Sequence, residues 1–126
     1  MSEYRDDIES VIETVRTDQA NFEPPVEIPD EAAAIEYLRR GAGQAVAIYI
    51  DGRTDGLAPF DEDEFDMLEE AVNTSFKLYA ACFGEDIEPS VTIRAAAELV
   101  VTTHSIREAA ALLTDVPEGP GTAWTA

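Results

Sequence analysis

The chain has 126 residues, 45% of them apolar, and 27 acidic against 8 basic side chains, for a net charge of −19. That length allows one ordinary domain with one core, and the apolar content is too high for a disordered acidic tail. The charge opposes a nucleic-acid footprint, a lone cysteine excludes an internal disulfide, and no apolar run is long enough for a membrane span.

Residues 2–20 read as a first helix with Ile8, Val11, Ile12 and Val15 on a narrow apolar stripe. So narrow a stripe is expected to meet one or two helices, within the chain or in a second copy. The segment NFEPPVEIP, 21–29, ends that helix, because Pro24 and Pro25 cannot continue it and bias the residues before them toward extended backbone. Asp30 then caps a short helix carrying Ile35, Tyr37 and Leu38, with Arg39 and Arg40 suited to the negative end of its dipole. GAGQAV, 41–46, reads as a helix stop and turn. It lacks the third glycine and the preceding strand of a dinucleotide-binding loop, and the Lys–Ser or Lys–Thr of a phosphate loop. The run 45–50 is ambiguous: β-branched residues favour a strand, but only 26–28 would pair with it, and Val46, Tyr49 and Ile50 also fit a helical face. Helix is the preferred reading.

The longest helical pattern spans 61–84, with Phe65, Leu68, Val72, Phe76, Tyr79 and Phe83 spaced by three and four. Asp61 and Glu64 form a capping-box pair at its start, and Gly84 suits a left-handed stop at its end. The rest of the chain is expected to be arranged around this helix. Cys82 falls on it beside Tyr79 and Phe83, as a buried small residue. After an acidic connector, 85–89, a helix begins at Ser90 or Thr92 with Ile93, Ala96, Ala97 and Val100 on one side. Ser105 and Glu108 predict a second capping box, opening a helix to Thr114. Pro117, Gly119, Pro120 and Gly121 end regular structure, so 117–126, with Trp124, is read as a mobile tail after a domain of 1–116.

Seven of the eight bases are arginine, and Lys77 is the only lysine. A chain coated in carboxylates and nearly stripped of lysine resembles the cytosolic proteins of extreme halophiles, above all haloarchaea, a compositional resemblance that identifies no family. In strong salt such charge is screened and serves solubility. With an acidic N-terminus unlike a signal peptide, the expected compartment is the cytoplasm.

Four features bear on chemistry. DGRTDGLAPFDE, 51–62, resembles the calcium loop of the EF-hand family over those twelve residues. The resemblance implies Asp51, Asp55 and Glu62 as oxygen ligands and Gly56 at the turn. Arg53 departs from it, because a guanidinium in a ligand ring repels the cation. Residues 93–113 resemble a helix-turn-helix, which implies a DNA-reading helix starting at Ser105 and carrying Arg107; Val100 stands where many such motifs have glycine. One arginine among alanines and leucines is poor equipment for phosphates or base edges. His104, the only histidine, has no nucleophile motif or second histidine near it, so exposure or bonding at a helix end is the expected role. The many carboxylates single out no acid–base pair.

The resulting expectation is a single-domain, all-α bundle of about five helices, or α+β if 45–50 is a strand. The expected function is non-catalytic and cofactor-free: an interaction or adaptor module that binds a protein or a second copy through Ile8, Val11, Ile12 and Val15. A DNA-binding regulator and a degenerate calcium-binding protein are the alternatives.

Overall fold

The computed structural model describes residues 4–55 and 60–116, and of 54 and 55 the backbone alone. The described residues form six α-helices and no strand: α1 (Arg5–Ala20), α2 (Glu31–Arg40), α3 (Ala42–Asp55), α4 (Glu62–Ala81), α5 (Ile93–Thr103) and α6 (Ile106–Thr114). The all-α expectation holds, and 45–50 lies inside α3. Residues 117–126, including Trp124, lie outside the described residues.

Local chemistry sets most helix ends. The Asp30 carboxylate accepts from the Ala33 amide at 3.1 Å, opening α2. At α4 the capping box is complete: Glu64 N donates to Asp61 Oδ1 at 2.9 Å, and Asp61 N donates to Glu64 Oε1 at 3.0 Å. The bond from the Asp61 amide gives the Glu64 carboxylate, which is fully buried, a backbone partner. Gly84 adopts the expected left-handed conformation, φ 81°, and the Glu85 amide bonds back to the Ala80 carbonyl at 3.0 Å. Thr92 rather than Ser90 caps α5. The second capping box forms only by half. Ser105 accepts from the Glu108 amide at 3.1 Å, but the Ser105 amide is satisfied by Thr103 Oγ1 at 3.2 Å instead of by Glu108.

One break was shorter than its sequence implies. Of GAGQAV only Gly41 interrupts the helix, and Ala42 already begins α3. The reason lies on α4. The Ser75 hydroxyl donates to the Tyr37 carbonyl at 3.0 Å and accepts from the Ala42 amide at 3.1 Å, fastening both sides of the bend. A Cβ at Gly41 would meet Ser75 Oγ at 2.8 Å and Val15 Cγ2 at 2.9 Å, so close approach, not a turn, requires the glycine.

The core gathers around α4, which packs on all five other helices. Leu68, Val72, Phe76 and Tyr79 of its predicted stripe are buried, while Phe65 and Phe83 are partly so. Tyr4, Tyr49, Phe60 and Phe65 cluster at one end, with ring centroids 5.7–6.4 Å apart. Cys82 is buried as expected, and burial, with Asp30 nearby, pushes its thiol up to about 11.

Polar side chains of α4 also hold the loops that pass it. Asn73 clasps Val91 by two bonds, donating to its carbonyl at 2.9 Å and accepting from its amide at 2.8 Å. Glu69 accepts from the Ile93 amide at 3.1 Å, and the Tyr79 hydroxyl donates to the Val116 carbonyl at 2.6 Å. On the exposed side a two-pronged Arg16–Glu70 pair, both bonds 2.8 Å, ties α1 to α4.

Candidate functional site

The apolar stripe of α1 is used up internally. Ile8, Ile12 and Val15 are buried and Val11 packs against the core, with α4 as the main neighbour. The expectation that these four residues supply a docking surface is therefore corrected: Ile8, Ile12 and Val15 are buried inside the fold and Val11 is partly so. The central helix spends its stripe in the same way.

The calcium-loop resemblance meets a backbone of the wrong form. Asp51 through Asp55 belong to α3, and Glu62 is the first residue of α4, so the early ligand positions lie on helical turns rather than in a loop. Gly56 lies outside the described residues. The Arg53 guanidinium donates to the Tyr49 hydroxyl at 3.1 Å and lies 5.7 Å from that ring's centre. Among the described residues no three His, Cys, Asp or Glu side chains gather as metal ligands.

The helix-turn-helix residues are also otherwise engaged. Ser105 is the N-cap of α6, and Arg107 faces Glu31 at 3.7 Å. The turn falls at His104, in the left-handed conformation with φ 60°, while Val100 is interior to α5. The His104 amide donates to the Val100 carbonyl at 2.7 Å and its side chain is exposed. The buried face of α6 is Ala109, Ala110 and Ala111, which leaves small side chains in the core and Leu112 outside.

A different surface emerges between α3 and the α5–α6 pair. The chain's longest stretch without a charged residue is the ten residues 41–50, and another stretch of eight, 99–106, also lacks acids, lysine and arginine. The fold brings the two together. Gly43, Gln44, Ala47 and Ile50 of the first line a groove of about 720 Å³ with Val100 and Ile106 of the second. Ile48 lines it too, as do Tyr4 and the carboxylates Asp7 and Asp51. A second groove of about 550 Å³ shares Ile50 and continues along α5 past Val101, which is 58% exposed, to Arg53 and Arg94. The second groove is mixed, with Arg53, Arg94, Glu98 and Thr102 in its lining beside Ile50, Ala97 and Val101.

Sequence reasoning weighed 45–50 only as strand or helix and missed this surface. The signal was present as an absence: a ten-residue gap in a coat of carboxylates.

A family model, described as Domain of unknown function (DUF8055), matches residues 2–118. The chain belongs to this family. The match runs through all six helices, so the α3 groove and the α4 clasps both fall within the family's domain. No curated protein and no solved structure matches the chain. No helix among the described residues is long and apolar enough to cross a membrane.

Proposed function

We propose that this chain is a protein–protein interaction module, of regulatory or adaptor type, that docks its partner along the groove between α3 and α5–α6. One observation carries the reading: the uncharged runs 41–50 and 99–106 meet to line an open apolar groove on a chain of net charge −19. A solvent-facing helix in such a protein gains solubility from every carboxylate, so a groove whose carboxylates, Asp7 and Asp51, are few beside the exposed Ala47 and the part-buried Ile48 and Ile50 is fitted to be covered. The proposed setting is a high-salt cytosol, where the charge elsewhere is screened and apolar contact is strengthened.

The test is a photo-crosslinking side chain placed at Ala47, compared with one at Glu13 on the exposed side of α1, both in a high-salt lysate. A discrete adduct at 47 and none at 13 is the expected result. Equal, diffuse labelling at both positions would sink the reading.

A further inference from the structure

We infer that the α5–α6 pair is a hinged flap that pivots on α4, its apex opening and closing the groove over α3. The hinge is a property of the chain itself and holds whether or not a partner occupies the groove.

The pair is fastened at its two chain ends. Ahead of α5, Asn73 holds both backbone groups of Val91, at 2.8 and 2.9 Å, and Glu69 accepts from the Ile93 amide at 3.1 Å. Beyond α6, the Val116 carbonyl accepts from the Tyr79 hydroxyl at 2.6 Å. Both ends are therefore tied to α4 between positions 69 and 79, a span of about 15 Å along that helix. Among the described residues, the one polar tie between these ends and the rest of the fold is Arg107 to Glu31. It is 3.7 Å long and exposed, and such pairs hold weakly.

The apex, 103–105, satisfies its own polar groups. Thr103 Oγ1 donates to the Leu99 carbonyl at 2.7 Å and accepts from the Ser105 amide at 3.2 Å. The His104 amide donates to the Val100 carbonyl at 2.7 Å, and Ser105 Oγ accepts from the Glu108 amide at 3.1 Å. All of these bonds close within the pair. They stiffen the elbow without fixing it to α3.

Packing is equally light. Apart from Ile93, at the pivot, the buried side chains of the two helices are Ala96, Ala97, Ala109, Ala110 and Ala111. One methyl each is little to hold a helix down, and the larger Val100, Ile106 and Leu113 pack against the core only in part. Val100 and Ile106, one on either side of the apex, line the groove of about 720 Å³ together with Gly43, Ala47 and Ile48 of α3. Gly43 leaves room there, since a Cβ on it would already stand 3.9 Å from Ile106 Cγ2. Charge does not oppose the motion either. Residues 93–114 carry Arg94 and Arg107 against Glu98 and Glu108, so the pair is neutral beside an acidic body. A stiff pair with two tied ends and an untied apex moves by hinging.

Distances between paired spin labels on the full chain, in about 2 M KCl, test the hinge. One label is placed at Glu13→Cys on α1, and the other at Thr102→Cys near the apex or at Arg94→Cys beside the pivot. All three positions are exposed and Cys82 is buried, so the chain without added cysteines serves as the blank. The expected distance distribution to 102 is roughly twice as broad as that to 94. Asn73→Ala, which frees Val91, should broaden the distribution to 94 while helical circular dichroism is retained. The comparison of 102 with 94 needs no core substitution, so it decides the question even where Asn73→Ala unfolds. Equal breadth at 102 and 94 in the otherwise unaltered chain would overturn the inference. So would a folded Asn73→Ala chain in which the distribution to 94 stays narrow.

Discussion

Helices α4 and α3 are neighbours in one core, yet they divide polar and apolar residues in opposite ways. The α4 helix turns polar side chains toward its surroundings inside the fold: Glu69, Asn73, Ser75 and Tyr79 each take up a backbone group of another segment. The α3 helix buries Ala42, Ala45, Val46 and Tyr49, packs Ile50 partly against the core, and leaves Ala47 exposed. Polarity inside α4 makes loop positions specific, because a buried backbone group has no water to replace a lost partner. The exposed Ala47 adds little to the folded monomer, while Ile48, Ile50, Val100 and Ile106 beside it pack partly against the core.

The comparison yields a ranked set of tests. Removing salt is expected to have the largest effect, since it restores repulsion across a coat of net charge −19 that strong salt screens within a Debye length of about 3 Å. Helical circular dichroism should be lost on dialysis into dilute buffer, with Cys82 becoming reactive to thiol reagents at the same point. A spectrum that survives dilute buffer would refute the halophilic reading.

Next comes Ser75→Ala, which strands the Tyr37 carbonyl and the Ala42 amide together in a buried bend. A loss of about 3 kcal/mol by denaturant titration in high salt is expected. Asn73→Ala releases Val91 in a part-buried setting and should cost about 2 kcal/mol.

Tyr79→Phe should cost about 1 kcal/mol near neutrality, and it carries a pH signature. Burial pushes the Tyr79 hydroxyl up to about 12 in the folded chain, above its ordinary value of 10.0. The unfolded chain therefore ionises first as pH rises. The contribution of the neutral phenol is fully present below pH 10.0 and is lost toward about 12. Thermal melts across that window should show a fall in stability that is smaller in the Phe variant.

At the bottom of the ranking, Ala47→Glu should shift monomer stability by less than about 0.5 kcal/mol, since the side chain is exposed. Its effect belongs to association alone. A large loss of monomer stability from Ala47→Glu, or none from Ser75→Ala, would erase the distinction between the two helices.

Much of the fold was legible because its signals are local. Spacing of apolar residues placed α1, α2, α4, α5 and α6, and Asp30, Asp61 and Gly84 marked ends whose hydrogen bonds close within a few residues. The bland roles of Cys82 and His104 could be inferred for the same reason. What the order of residues left open depends on neighbours far along the chain. Whether 45–50 is strand or helix was decided by α4, which holds Ala42 through Ser75, 33 residues away in the chain, and lets α3 start at once. The stripe of α1 looked equally fit for a partner or a core until α4 covered it. The carboxylate gap at 41–50 acquired a meaning only when 99–106 came alongside. Sequence by itself determined five of the six helices, the caps at Asp30, Asp61 and Gly84, and the charge of the coat, because those follow from neighbours within a turn or two. Tertiary structure alone decided which apolar faces remain outside, because burial is a property of what packs against a face.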